Sequence, residues 1–280
     1  MKLLITGKGH SGSWAIRGVQ MGGQVGKVVP RASLQEMMKS DIIVAVKRLT
    51  PDFLANIRRS GKPWIWDIVD FYPQPLCSGW SRAQAISWVQ DQLAFAKPDG
   101  VIFPNRRMRD EIVYNGVTIY HHARPNAEIN PIRKDIKIIG YEGSEKFIAQ
   151  WREIIVRQCS LRGWQFRVGM PLNEADIVLA VRDDVHAGYA QRRWKSNVKL
   201  ANAHATGTPF IGMVESSYLE TSSGMEHFVS DEEGLSSAFY ALRDQEARVR
   251  VQTEFLRNVI SLDQVSQQLR GYAEKVLNSK

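Results

Sequence analysis

Residues Asp41-Ile-Ile-Val-Ala-Val46 form an apolar run without alternation, rich in β-branched side chains. Such a segment is stable as a strand only when both of its faces are covered, the situation of a parallel sheet between two layers of helices. The surrounding sequence supports that architecture. Strand signals at Leu3–Thr6, Val25–Val29, Trp64–Val69, Gly100–Phe103 and Val117–Tyr120 are separated by helical patterns at Trp14–Met21, Phe53–Arg59, Arg82–Phe95 and Arg106–Tyr114. Strand–helix alternation of this kind predicts a doubly wound α/β sheet.

The pattern stops at residues 123–135, where two prolines and two asparagines occur without periodicity, and then restarts. Strands are predicted at Ile136–Tyr141, Gln165–Val168, Asp176–Val181 and Phe210–Val214, with helices at Lys146–Ser160, Val198–Thr206 and Glu232–Arg243. A polar amphipathic helix near Gln245–Leu277 ends the chain. The expectation is α/β with two Rossmann-like domains facing a central cleft. The expected boundaries are 1–130 for the first domain, 131–260 for the second and 261–280 for a final helix.

At 280 residues and 44% hydrophobic composition the chain can bury a substantial core. No apolar run approaches the roughly 18 residues of a membrane span. Cys77 and Cys159 lack metal-type spacing and read as free thiols in a reducing cytoplasm, the expected location. The net charge of +8 is unevenly placed. Residues 1–135 carry 19 Lys and Arg against 11 Asp and Glu, whereas residues 136–280 carry 18 of each. A basic first half implies a polyanionic partner, either nucleic acid or an anionic membrane surface.

Two stretches carry the chemistry. The first, Gly7-Lys-Gly-His-Ser-Gly-Ser13, follows the first strand. It matches a dinucleotide fingerprint formally, but the acid expected about 20 residues later is missing, which argues against NAD or FAD. The second runs from Lys195 to Glu220: a basic entry, a small-residue helix stopped by Gly207, a short strand opened by Pro209, and a loop ending in an acid. Helix starts and strand ends of this kind hold nucleotides and sugar phosphates.

These two stretches, Gly-Lys-Gly-His-Ser-Gly-Ser-Trp-Ala-Ile-Arg-Gly and Lys199-Leu-Ala-Asn-Ala-His-Ala-Thr-Gly-Thr-Pro followed by Glu220, resemble the GT-B-fold glycosyltransferases. The resemblance implies an acceptor domain at 1–130, a nucleotide-sugar domain at 131–260 and a helix over 261–280 crossing back to the first. It also implies transfer of a sugar from a nucleotide-sugar, UDP-sugar foremost, with no permanently bound cofactor. No Asp-x-Asp and no cysteine–histidine cluster is present, so no metal is expected. Family-4-like members carry two glutamates eight positions apart, the second just before Ala-x-Ala-x-Gly-x-Pro. Here Trp194 and Asn202 hold those places, so the pair does not transfer.

Within that scheme Lys146, Arg182, Lys195, Ser196 and Lys199 are candidates for the leaving diphosphate, and Asn202 and Glu220 for the nucleoside or sugar. His10 and Asp70, both at strand ends, are the candidate bases. Asp67 reads as structural, and His121 and His122 as possible cleft residues. Ser11, Gly12, Lys47, Arg48, Arg106, Arg107 and Arg109 would meet the acceptor. Cations interleaved with Trp64, Trp66, Phe71, Tyr72, Trp80 and Trp88 describe a nucleic-acid acceptor. The form that this takes is a hydroxymethylated pyrimidine flipped from duplex DNA, the acceptor of the bacteriophage glucosyltransferases. Alternatives are a cell-surface or lipid-linked saccharide acceptor, a GT-B-fold binding protein without catalysis, and an epimerase or other double-Rossmann enzyme.

Overall fold

The computed structural model describes residues 1–70, 76–186 and 188–279, with the Leu76 side chain left aside. The first half builds a six-stranded sheet. In chain order its elements are β1 (Leu3–Gly7), a wide-turned helix Trp14–Gly22, β2 (Lys27–Pro30), α1 (Leu34–Met38), β3 (Ile42–Val46), α2 (Pro51–Ser60), β4 (Trp64–Asp67), α3 (Arg82–Ala96), β5 (Gly100–Phe103), α4 (Arg106–Glu111) and β6 (Gly116–Thr118). All pairings are parallel and the strand order is β2-β1-β3-β4-β5-β6. The second half begins with β7 (Ile138–Tyr141), α5 (Ala149–Ser160), β8 (Gln165–Val168), β9 (Ile177–Ala180), α6 (Tyr189–Arg193), α7 (Val198–Thr206) and β10 (Phe210–Gly212). It continues with α8 (Ser216–Glu220), β11 (His227–Phe228), α9 (Glu232–Ala241), α10 (Gln245–Arg257) and α11 (Leu262–Asn278). Its sheet is again parallel, in the order β11-β10-β9-β7-β8.

Strand β3 is buried along its whole length, as its composition requires. Ile43 and Ala45 enter one core cluster with α2 and α3, while Ile42, Val44 and Val46 enter another with the helix Trp14–Gly22 and α11. The two-residue period of a strand divides the run between two helical layers. The expected single helix over Gln245–Leu277 is two helices. The break falls at Asn258-Val-Ile-Ser261, where the Ser261 hydroxyl accepts from Gln264 N and starts α11 as an N-cap. Helix α11 packs Val265, Leu269, Tyr272, Ala273 and Val276 on the first sheet, and the Tyr272 hydroxyl accepts from Val101 N at 3.2 Å.

Helix α7 ends as its sequence demands. Gly207 takes φ 63°, and a Cβ there would come within 2.6 Å of the Gln252 side chain of α10. The unpatterned stretch 123–135 is firmly held. Asn130 donates from Nδ2 to Ala175 O and Thr208 Oγ1, and its own N–H donates to Thr206 O.

Trp64 and Trp66, expected to stack on bases, are buried in the first core (4% and 2% exposed), and Trp80 and Trp88 pack against it. Phe71 and Tyr72 lie outside the described residues. Asp67 is structural as expected. It forms a fully buried ion pair with Arg17 at 2.7 Å, and Arg17 Nη1 also donates to the carbonyls of Ile119 and Tyr120 at 3.0 Å. Removing one member of a buried pair strands the other. Asp67→Asn should therefore cost about 3–5 kcal/mol in urea denaturation.

Candidate functional site

The carboxyl ends of β7, β9 and β10 and the entry to α7 bring one buried polar cluster together. Arg182, just past β9, donates to Glu215, just past β10, with Nε–Oε1 at 2.5 Å and side chains 7% and 2% exposed. Burial works against the Arg182 charge, but Glu215 beside it raises the pKa above its ordinary value. Lys199, in the first turn of α7, holds its ammonium 3.9 Å from the centroid of the Tyr141 ring. Burial, reinforced by Arg182, drives its pKa well below the usual lysine range. Lys195 is pushed down to about 8 by burial and by Arg182, with Asp70 acting in the opposite sense. The Tyr141 hydroxyl is buried without a hydrogen-bond partner, and burial raises its pKa to about 12. Ser196 is buried beside Lys195. Lys146 is exposed and lies 5.0 Å over the Phe147 ring.

Glu142 and Gly143 follow β7 directly. Gly143 has φ 148°, and a Cβ there would sit 3.1 Å from the Tyr141 ring and 3.4 Å from the Lys199 ammonium. Glu142 Oε1 accepts from Asn202 Nδ2 at 2.8 Å, while Oε2 is buried without a partner. Burial raises the Glu142 pKa, opposed by Asn202 and by the charges of Arg124 and Lys199. Asn202, the residue in the place of the family glutamate, thus joins that carboxylate to the connecting segment, accepting from Arg124 N at 3.2 Å.

Glu220 occupies a position different from the expected donor contact. Its carboxylate accepts from Arg106 N (2.7 Å), Arg107 N (2.9 Å) and the Tyr120 hydroxyl (2.7 Å). It therefore sits on the N-terminus of α4, in the first half, where helix N–H groups attract an acid. Arg106, Arg107 and Arg109, expected to meet an acceptor, have partners within the chain. They are engaged by Tyr120, Glu111 and Asp110, respectively. None of them lines the cavities bordered by Lys47 and Arg48.

Further bonds hold the two halves together at the same place. Asn105 donates from Nδ2 to the carbonyls of Arg193 and Lys195 at 2.9 and 3.0 Å. Asn197 exchanges two hydrogen bonds with the His121 backbone. Trp194 is fully buried in the first core, with Nε1 donating to Glu111 at 2.7 Å. The sequence signals for these contacts are weak, because each partner is distant in the chain and ordinary in type.

Across from the cluster lie the ends of β1, β3 and β4. Lys47 pairs with Asp70 at 2.5 Å. Burial would raise the Asp70 pKa, but Lys47 and Lys195 outweigh it and bring the group from 3.8 to about 2. That value makes Asp70 a weak proton acceptor near neutrality and a counter-ion to lysines from both halves. His10 is exposed on the rim of a 330 Å³ cavity that Ser11 and Lys47 also line. Gly12 is exposed and does not line it. His121 and His122 are buried, and burial holds His121 well below its ordinary pKa, hence neutral. Among the described residues, no group of three or more His, Cys, Asp or Glu is placed to hold a metal. None of the described helices is long and apolar enough to cross a membrane.

This two-sheet arrangement is that of GT-B glycosyltransferase structures. AviGT4, a glycosyltransferase involved in avilamycin A biosynthesis, is 11% identical, with a TM-score of 0.63 over 100% of this chain and 99% of its own. HepE from Anabaena, solved with UDP and glucose, is 10% identical, with a TM-score of 0.66 over 98% of this chain and 99% of its own. An α1,3-fucosyltransferase is 9% identical, with a TM-score of 0.58 over 99% and 90%. No protein-family model and no curated protein sequence matches the chain.

The lowered Asp70 pKa has a measurable consequence for stability. Its ionised form adds to folding stability above the unfolded value of 3.8, and the gain is lost as pH falls through about 2. At pH 7, Asp70→Asn should be less stable than wild type by about 2 kcal/mol, and the gap should close below pH 2, in denaturant melts across pH.

Proposed function

We propose that this chain is a glycosyltransferase that moves a sugar from a UDP-sugar to an acceptor hydroxyl. The observation that carries the reading is the cluster of Arg182, Lys195 and Lys199 at strand ends and a helix start of the second half, with Glu215 paired to Arg182. Arg182 is buried, Lys195 and Lys199 are half-buried with lowered pKa, and an anion set beside them would be stabilised. A departing nucleoside diphosphate is an anion of the right kind, and the N–H groups opening α7 add to its stabilisation.

In this scheme the diphosphate lies against Lys199 and Arg182, with Lys195 joining from the cleft wall. Asn202 and Glu142 face the nucleoside or sugar hydroxyls, and Ser196 and Lys146 border the phosphates. Glu220 keeps the halves in register. His10, exposed and without a hydrogen-bond partner among the described residues, is the assigned base, and Asp70 holds Lys47 and Lys195 in place. For the acceptor, the basic first half favours an anionic molecule. Hydroxymethylated pyrimidine in DNA stays within that class on charge alone, since four of the six aromatics expected to stack on bases are packed in or against the core.

Calorimetric titration with UDP tests the donor half. Lys199→Ala should weaken binding at least tenfold, and equal affinity would place the donor elsewhere. Because a bound diphosphate raises the pKa of Lys195 and Lys199, binding should take up protons, and affinity should fall as pH rises through about 8. His10→Ala should lower sugar transfer or donor hydrolysis by about 10²–10⁴-fold without loss of UDP affinity. A catalytically silent binding protein would bind UDP and show no turnover to lose.

A further inference from the structure

The ends of β1, β2 and β3 share an unusual backbone. His10, Arg31 and Lys47, none of them glycine, have φ of 53°, 51° and 64°. Left-handed backbone at a residue with a Cβ costs about 1–2 kcal/mol, and three such residues at neighbouring strand ends require a compensating reason. The result is a concentration of positive charge. The 330 Å³ cavity beside His10 is lined by Lys8, Arg31, Lys47 and Arg48, and an adjoining 450 Å³ cavity shares Lys8, Arg31 and Arg48. No acidic residue lines either cavity.

The partners of these cations are few. Lys47 pairs with Asp70. Arg31 donates from Nε to Lys8 O at 3.1 Å, which anchors the guanidinium without neutralising it. Lys8 and Arg48 have no ion-pair partner among the described residues. Like charges held together in a concave site repel one another until an anion arrives. The volumes fall within the range of small-molecule sites, roughly 300–1,000 Å³. A duplex surface would spread its cations over several phosphates along a face. Here they converge on one hollow, while Arg106, Arg107 and Arg109 are engaged elsewhere.

We infer that this hollow is a phosphate-binding subsite, and that the acceptor carries a compact phosphate or diphosphate group held by Lys8, Arg31 and Arg48 close to His10. The inference rests on the glycosyltransferase reading only in calling the ligand an acceptor. The anion site itself is independent of it. The distance between the held phosphate and His10 then sets which hydroxyl of the acceptor reaches the donor sugar, so the subsite selects regiochemistry as well as ligand class.

The test is calorimetric titration of pyrophosphate into the full chain saturated with UDP, which blocks the cations of the second half. One pyrophosphate should bind. The double variant Arg31→Ala, Arg48→Ala should weaken it at least tenfold while UDP affinity stays as in wild type. Both residues are exposed, and circular dichroism of the variant should match wild type. Absence of pyrophosphate binding, or binding indifferent to the double variant, overturns the subsite. So does a short DNA duplex that binds tightly and is not displaced by pyrophosphate, since the cations then serve an extended nucleic acid. Should UDP itself fail to bind, the donor reading falls, while a pyrophosphate titration without UDP, lost in the same double variant, still upholds the subsite.

Discussion

The buried pair of Arg17 and Asp67 is the contact on which the placement of the cleft depends. Arg17 belongs to the helix behind the glycine loop, Asp67 ends β4, and the carbonyls of Ile119 and Tyr120 lie just past β6, on the segment leading out of the first half. One guanidinium therefore fixes the loop bearing His10, the strand end that continues to Asp70, and the chain that carries His121 to the clasp with Asn197. Such a group is costly to desolvate, and it is tolerated because every donor direction that matters meets an acceptor.

From that anchor the polar groups of the interface divide into two sorts. Glu220 and Asn197 spend their side-chain hydrogen bonds on the other half of the chain, and Asn105 and Glu111 add further bonds across. Arg182, Lys195 and Lys199 gather positive charge at one place, where Glu215 pairs with Arg182. The first group makes the cleft geometry definite, and the second makes it receptive to an anion. Asp70 belongs to both, since it faces cations from either side.

Much of the fold was legible because strands covered on both faces leave an unmistakable pattern. Gly100–Phe103, Gln165–Val168 and Val198–Thr206 have the boundaries expected from composition and stop signals. Short helices were not, because α6 and α8 span only five residues each and show no period. Helix α1 carried a readable signal, the capping box of Ser33 and Glu36, which its brevity obscured. At the site, Lys195 and Lys199 were visible as cations at a helix start. Glu142 and Glu215 were not, since an acid after a strand is common and only tertiary contact gives it a role. The tryptophans misled for a related reason: an aromatic beside basic residues in sequence need not be beside them in space.

Trp194 adds a consequence for the architecture as a whole. It lies in the core of the first half although both sheet neighbours in sequence, β9 and β10, belong to the second. The segment from Tyr189 to Trp194 is thus a graft, a plug lent by one half to complete the other. Cut apart, the first half would lose Trp194 from its core and the second would leave that indole exposed. The lysines immediately after the plug ride on the seam, tied at one end to each half. Any widening of the cleft must therefore pull on the strand of chain that bears Lys195 and Lys199, so the grip on an anion and the angle between the halves are mechanically one variable.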